Sequence, residues 1–207
     1  MNAVSHKQKG LKGALHCHST KSDGKQSPEE VLETYHSLGY DFVALTDHDF
    51  LMMPNAYKDV PSEFAGMLVF KGIERTIFAR GYLHYNEIVG QDEMLNIFNH
   101  PAEYDFTVEQ MLERMIEVEE TVEIHAVEVS LKGFYTAEYD IEEIPQPKVV
   151  SDDSHTREMC GRAWVWVDAE KEHDAILRAI KAGKVENEYK WVAQQATWNN
   201  QGGSQVG

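Results

Sequence analysis

Phe42-Val43-Ala44-Leu45-Thr46-Asp47-His48 is an apolar run that passes without a break into a polar triplet. A short apolar run of this kind reads as a strand buried on both faces, as in the middle of a parallel sheet. The polar triplet then falls at the strand's C-terminal end. The same pattern recurs along the chain. Residues 13–16 read as a strand that delivers His16-Cys17-His18, and Met67-Leu68-Val69-Phe70 leads into Gly72-Ile73-Glu74. Residues 84–89 form a strand that carries His84, and 95–98 one that ends at Asn99-His100-Pro101. Residues 126–129 and 148–150 are further strands, the second followed by Asp153-Ser154-His155, and 164–167 are one more.

Helices separate several of these strands. Ser27-Pro28-Glu29-Glu30 offers a cap, a proline at the first helical position and a capping-box glutamate. Val31, Leu32, Tyr35 and Leu38 supply an apolar stripe, and Gly39 ends the helix. Thr107 to Gln110 is a second capping box, opening a helix to about Val118. Asp168 to Ala182 is a third helix, closed by Gly183. Alternation of strands and helices predicts a parallel sheet in an α/β domain. Polar clusters at so many strand ends favour a closed barrel, where those ends meet on one face. An open doubly wound sheet gathers fewer of them.

The chain has 207 residues, 42% of them hydrophobic, enough for one domain with a full core. We expect an extension over 1–10, one domain over 11–197 and a disordered polar tail over 198–207. No apolar run approaches a membrane span, and the start lacks the apolar core of a secretory signal. Cys17 and Cys160 make no disulfide framework and suit a reduced, cytoplasmic setting. A net charge of −16, with no Lys/Arg cluster, argues against nucleic acid as a partner.

In an extended segment, residues i and i+2 face the same way. His16-Cys17-His18 and Asp153-Ser154-His155 therefore each aim two metal-binding side chains at one point. Six of the ten histidines lie in the strand-end clusters. Histidine and carboxylate at several strand ends suit a multinuclear site for divalent metals. His6, His36, His125 and His173 have no such setting and read as structural. Asp47, which alternation turns away from His48, reads equally as a partner orienting an imidazole and as a plain structural residue, and Glu128, in an apolar strand, reads as an ordinary strand residue ahead of an orienting group.

His16-Cys17-His18-Ser19, Ser22-Asp23-Gly24, Thr46-Asp47-His48-Asp49, Gly72-Ile73-Glu74, His84, His100-Pro101 and Asp153-Ser154-His155 resemble the PHP (polymerase and histidinol phosphatase) family. The resemblance covers residues 11 to about 183. It implies a distorted (β/α)7 barrel, TIM-like, with up to three divalent transition metals (Mn, Zn or Fe) and hydrolysis of phosphoesters. It implies that His16, His18, Glu74 and Asp153 hold one metal. Glu74, His84 and His100 hold a second, and Asp23, His48 and His155 a third. Glu74, Asp153 and His18 then form the catalytic centre, and Arg75 or Arg157 clamps a substrate phosphate. His84 and His100 are sixteen positions apart, which leaves no room for an inserted cap domain. The site should be open, flanked by loops at 50–66 and 131–146. The expected substrate is a small anionic phosphomonoester, with metal-bound hydroxide as nucleophile. The rival readings are a 5′-3′ exonuclease or phosphodiesterase on short nucleic acids, and a non-catalytic metal-binding module.

Overall fold

The computed structural model describes residues 10–191. The expected N-terminal extension, Gly10 apart, the expected polar tail and His6 lie outside the described residues. In chain order, β1 (Leu11–Ala14) leads to helix α1 (Pro28–Ser37), then β2 (Phe42–Leu45), β3 (Glu63–Phe64) and β4 (Met67–Lys71). β5 (Ile73–Phe78), β6 (Tyr82–Val89) and β7 (Met94–Phe98) follow, then helix α2 (Val108–Glu119). β8 (Ala126–Glu128), β9 (Ser130–Leu131), β10 (Phe134–Tyr135), β11 (Lys148–Val149) and β12 (Ala163–Val167) precede helix α3 (His173–Lys181) and β13 (Val185–Tyr189).

Both capping boxes form as the local chemistry demands. The Ser27 and Thr107 hydroxyls accept from the amides of Glu30 and Gln110 at 3.2 Å, and both long side chains reach back to the cap amides. α3 starts later than expected. Its cap is Glu172, whose carboxylate accepts from the Asp174 and Ala175 amides.

The strands do not close into a (β/α)7 barrel. They form a six-stranded sheet in the order β13-β12-β1-β2-β4-β3, a five-stranded sheet in the order β11-β8-β7-β6-β5, and the β9–β10 hairpin. The expected run of parallel strands holds for β1–β2, β2–β4, β7–β8 and β8–β11. It fails elsewhere for a local reason. β5, β6 and β7 are an antiparallel meander with tight turns where a crossover helix would be needed. The first turn uses Arg80 and Gly81 at φ of 51° and 156°. β12 likewise runs antiparallel to β1.

β2 shows why the apolar run was legible. Val43 and Leu45 pack beneath α1 with Val31, Leu32 and Tyr35, while Phe42 and Ala44 join the larger core between the sheets. The strand is buried on both faces. The sheets meet through single bridges, Cys17 to Ser154 and His48 to Glu74, both parallel. Those bridges lie just beyond the C-terminal ends of the parallel strands. No described helix is long and apolar enough to cross a membrane.

Asp152 fixes the segment between β11 and β12. Its buried carboxylate accepts from the amides of Gly161, Arg162 and Ala163 at 2.6–2.7 Å and from the Tyr35 hydroxyl at 2.9 Å. Burial lifts its pKa to about 6, against the pull of those donors. Asp152→Ala leaves several buried donors unpaired and should cost on the order of 3 kcal/mol in urea unfolding. Tyr35→Phe removes one donor and should cost about 1 kcal/mol.

Candidate metal centre

Extended geometry past β1 places the first ligands. Cys17 turns into the apolar cluster under α1, its thiol 3.1 Å from the Ala44 carbonyl. His16 and His18 turn the other way, and their Nε2 atoms lie 3.1 Å apart. Asp153-Ser154-His155 mirrors this. Ser154 Oγ pairs with the Tyr35 hydroxyl at 2.9 Å. Asp153 Oδ1 lies 3.5 Å from His16 Nε2 and 3.3 Å from His18 Nε2. The His155 ring stacks on His18 with centroids 4.1 Å apart. Asp153 and His100 adopt φ of 45° and 26°, left-handed conformations that L residues seldom hold without compensation.

Glu74, on β5, is fully buried. Its Oε1 faces His16, His84 and His100 at 3.4, 3.3 and 3.2 Å. Its Oε2 faces His18 and His48 at 3.3 and 3.0 Å. Asn99 donates to Oε1 at 2.8 Å. Asp23 carries the cluster outward, 3.3 Å from His155 and 3.7 Å from His48.

Nine side chains thus form four overlapping groups whose ligand atoms lie within 4.8 Å of one another. They are His18, Asp23, His48 and His155; His16, Glu74 and His100; His16, His18 and Asp153; and His48, Glu74 and His84. Every residue expected as a ligand is present. The groups differ from the expected ones: His18 also joins Asp23, Glu74 groups with His16 and His100 apart from His18 and Asp153, and His84 groups with Glu74 and His48.

This donor set fits divalent metal. Imidazole and carboxylate together suit Mn, Fe and Zn. Glu74 Oε2, His48 Nδ1 and His84 Nδ1 are buried and make no hydrogen bond, as groups awaiting a cation do. The outer nitrogens are held in the manner of ligating histidines. His16 Nδ1 pairs with Glu128 Oε2 at 3.1 Å, and His155 Nδ1 with the Asp153 carbonyl at 3.0 Å. Glu103 Oε2 lies 3.0 Å from His100 Nδ1. Burial opposes charge on His16, yet Glu74, Asp153 and Glu128 hold its pKa well above the ordinary value. Burial also opposes charge on Glu74, but the surrounding imidazoles, His16 first, hold it well below the carboxylate range.

Some partners differ from the sequence reading. Asp47 orients no imidazole. It accepts from the Ser19 amide and hydroxyl, from Ser22 Oγ and, in a short bond, from the Tyr57 hydroxyl, so it pins the loop that carries Asp23. Glu128, read as an ordinary strand residue, holds His16. Its other oxygen accepts from Ser130 at 3.1 Å and from Ser151. Arg75 alternates away from Glu74 and donates to Glu87 at 2.8 Å. Arg157 is exposed, two residues beyond His155, with its charge felt at Glu30. Lys132 was missed. Its Nζ lies 3.5 Å from Glu103 and brings a cation to the cluster's edge. His36, His125 and His173 lie apart; His173 donates to the Val69 carbonyl and His125 accepts from the Asn96 amide.

Glu128→Ala should weaken metal binding by roughly ten- to a hundredfold while the fold persists. Chelator competition, followed by circular dichroism, reads both. Unchanged affinity would remove Glu128 from the account.

The PHP domain family model matches residues 14–190. Among curated proteins, the DNA polymerase/3′-5′ exonuclease PolX of Bacillus subtilis (strain 168) is 35% identical over 92 residues. That match covers 38% of this chain and 16% of the polymerase. Among solved structures, a two-domain protein of Bacteroides vulgatus containing a predicted PHP-like metal-dependent phosphoesterase superposes with a TM-score of 0.62 at 20% identity. The match covers 86% of this chain and 64% of that one. PsfC of Pseudomonas syringae superposes with a TM-score of 0.57 at 12% identity, covering 89% and 92%. The structures show a shared fold, and this chain spans only part of the polymerase and of the Bacteroides protein. The family model matches 14–190 on a chain that gathers the family's strand-end histidines and acids around one glutamate: the chain belongs to the PHP domain family.

Proposed function

We propose that this chain is a metal-dependent phosphoesterase acting on small phosphomonoesters such as a nucleotide or a sugar phosphate. The observation that carries this reading is Glu74, whose Oε1 faces His16, His84 and His100 while its Oε2 faces His18 and His48. A carboxylate divided in this way suits a bridge between neighbouring cations. Glu74 and the surrounding histidines would hold divalent transition ions, which when bound would supply polarisation of a phosphoryl oxygen and activation of water near neutral pH.

The chain's own groups do the rest. His16, His18 and Asp153 fix the inner end of the cluster, and Asp23, His48 and His155 the outer end, so up to three ions have ligands. Asp23 is 43% exposed at its side chain and His155 26%, so substrate approaches from that side. Glu128 and Asn99 keep His16 and Glu74 from turning away. Arg157 and Lys132 are the cations we assign to the substrate phosphate. Among the described residues, only the Gly90–Glu93 turn, β7 and Asn99 lie between β6 and His100, which leaves no inserted cap there.

A second reading, exonuclease or phosphodiesterase action on short nucleic acid, draws support from the match to a polymerase with a 3′-5′ exonuclease in its name. The net charge of −16 disfavours long polynucleotides. A metal-reconstituted screen of phosphorylated metabolites beside short oligonucleotides separates the two.

Glu74→Gln, His16→Ala and Asp153→Asn should each lower kcat by at least roughly a hundredfold with thermal unfolding still cooperative. His36→Ala, exposed on α1, should leave kcat in place. Near-normal turnover in any of the first three would overturn the assignment.

A further inference from the structure

Phe50 has a seat that no role above explains. It is 65% exposed, yet its ring sits beside the His48 imidazole, centroids 5.2 Å apart and planes tilted by 36°. The loop holds it there. The amides of Leu51 and Met52 both donate to the His48 carbonyl, at 3.2 and 3.1 Å, so the chain folds back at once. Asp49, between the two rings in sequence, turns to β5, where its carboxylate accepts from the Thr76 amide at 3.3 Å. Tyr57 then ties the returning loop to Asp47. A lone exposed phenylalanine is ordinary. This one is fixed against an imidazole that belongs to two of the four ligand groups.

We propose that Phe50 is the wall against which the leaving group rests, and that it selects nucleoside phosphates over sugar or polyol phosphates. The proposal rests on the phosphoester reading above. A phosphate bound at the His48 end of the cluster carries its leaving group past Phe50. A nucleobase can lie on the phenyl face and remove apolar surface on both sides from water. A polyol gains little there, because hydroxyls pressed on a phenyl ring lose water and find no partner. The loop backbone that carries the ring is held by the His48 carbonyl, so little ordering of the backbone is needed on binding.

The test compares adenosine monophosphate with glycerol phosphate on the metal-loaded protein. Wild type should prefer the nucleotide in kcat/KM. Phe50→Ala should reduce that preference roughly tenfold, within the range of one base–aromatic stack. Phe78→Ala, an equally exposed ring paired with Tyr82 at the β5–β6 turn, should leave the preference in place. Calorimetry supplies a readout apart from turnover: Phe50→Ala should weaken adenosine monophosphate roughly tenfold while inorganic phosphate binds as before. An unchanged preference and unchanged nucleotide affinity in Phe50→Ala would overturn the proposal and leave the phosphoester reading standing. Loss of nucleotide affinity in a protein that cleaves no ester would uphold Phe50 and overturn the reaction.

Discussion

A fully buried carboxylate ringed by imidazoles is the constraint on which the rest of this structure depends. Glu74 has no exposed surface, and five imidazoles stand 3.0–3.4 Å from its oxygens. A buried charge is tolerated only where opposite charge and hydrogen bonds compensate it. The fold meets that demand by bringing together segments distant in sequence. His16 and His18 come from beyond β1, His48 from beyond β2, His84 from β6 and His100 from beyond β7. One single bridge joins two of these ligands, His48 and Glu74, and the other joins Cys17 and Ser154, each flanked by ligands in sequence. The sheets do not close, yet the parallel strand ends converge as they would in a barrel.

Around that centre lies a ring of acids. Glu128 and Glu103 stand behind His16 and His100, and Asp153 stands before them. Such a shell suits cations and repels anions. On the proposed reading, an anionic substrate would be drawn to bound metal rather than to the polypeptide, which would reconcile a phosphate with a chain of charge −16. Glu103 is held down to about 2, chiefly by His100 against the effect of burial. Lys132, at the cluster's edge, faces Glu103 at 3.5 Å.

Local chemistry was legible in the sequence, and long-range pairing was not. Both capping boxes formed, because a cap and its partner are three residues apart. The i, i+2 rule placed His16 and His18 on one side and Cys17 on the other, because extended backbone alternates whatever strand lies beside it. The nine ligand candidates could be picked out because few side chains bind such metals, strand-end positions isolate most of them, and the resemblance to the PHP family supplied the set. Barrel closure failed as an expectation. Whether β5 and β6 join by a hairpin or a crossover depends on a turn at Arg80-Gly81 that carries no strong signal in its residues. Glu103 was overlooked, and Glu128 underweighted, for a different reason. Among 35 acidic residues, those that hold an imidazole look like all the others until the chain is folded. For Asp47 the plain structural reading is the one that holds: alternation turns it from His48 to Ser19, Ser22 and Tyr57.

The central claim is that this cluster holds several divalent ions at once, with Glu74 between them. Crystals grown with manganese or zinc and measured at the metal's absorption edge test it directly. The account predicts more than one anomalous peak inside the cluster, with neighbouring peaks sharing Glu74. A single peak, or none, in a crystal whose nine ligands are ordered would contradict it.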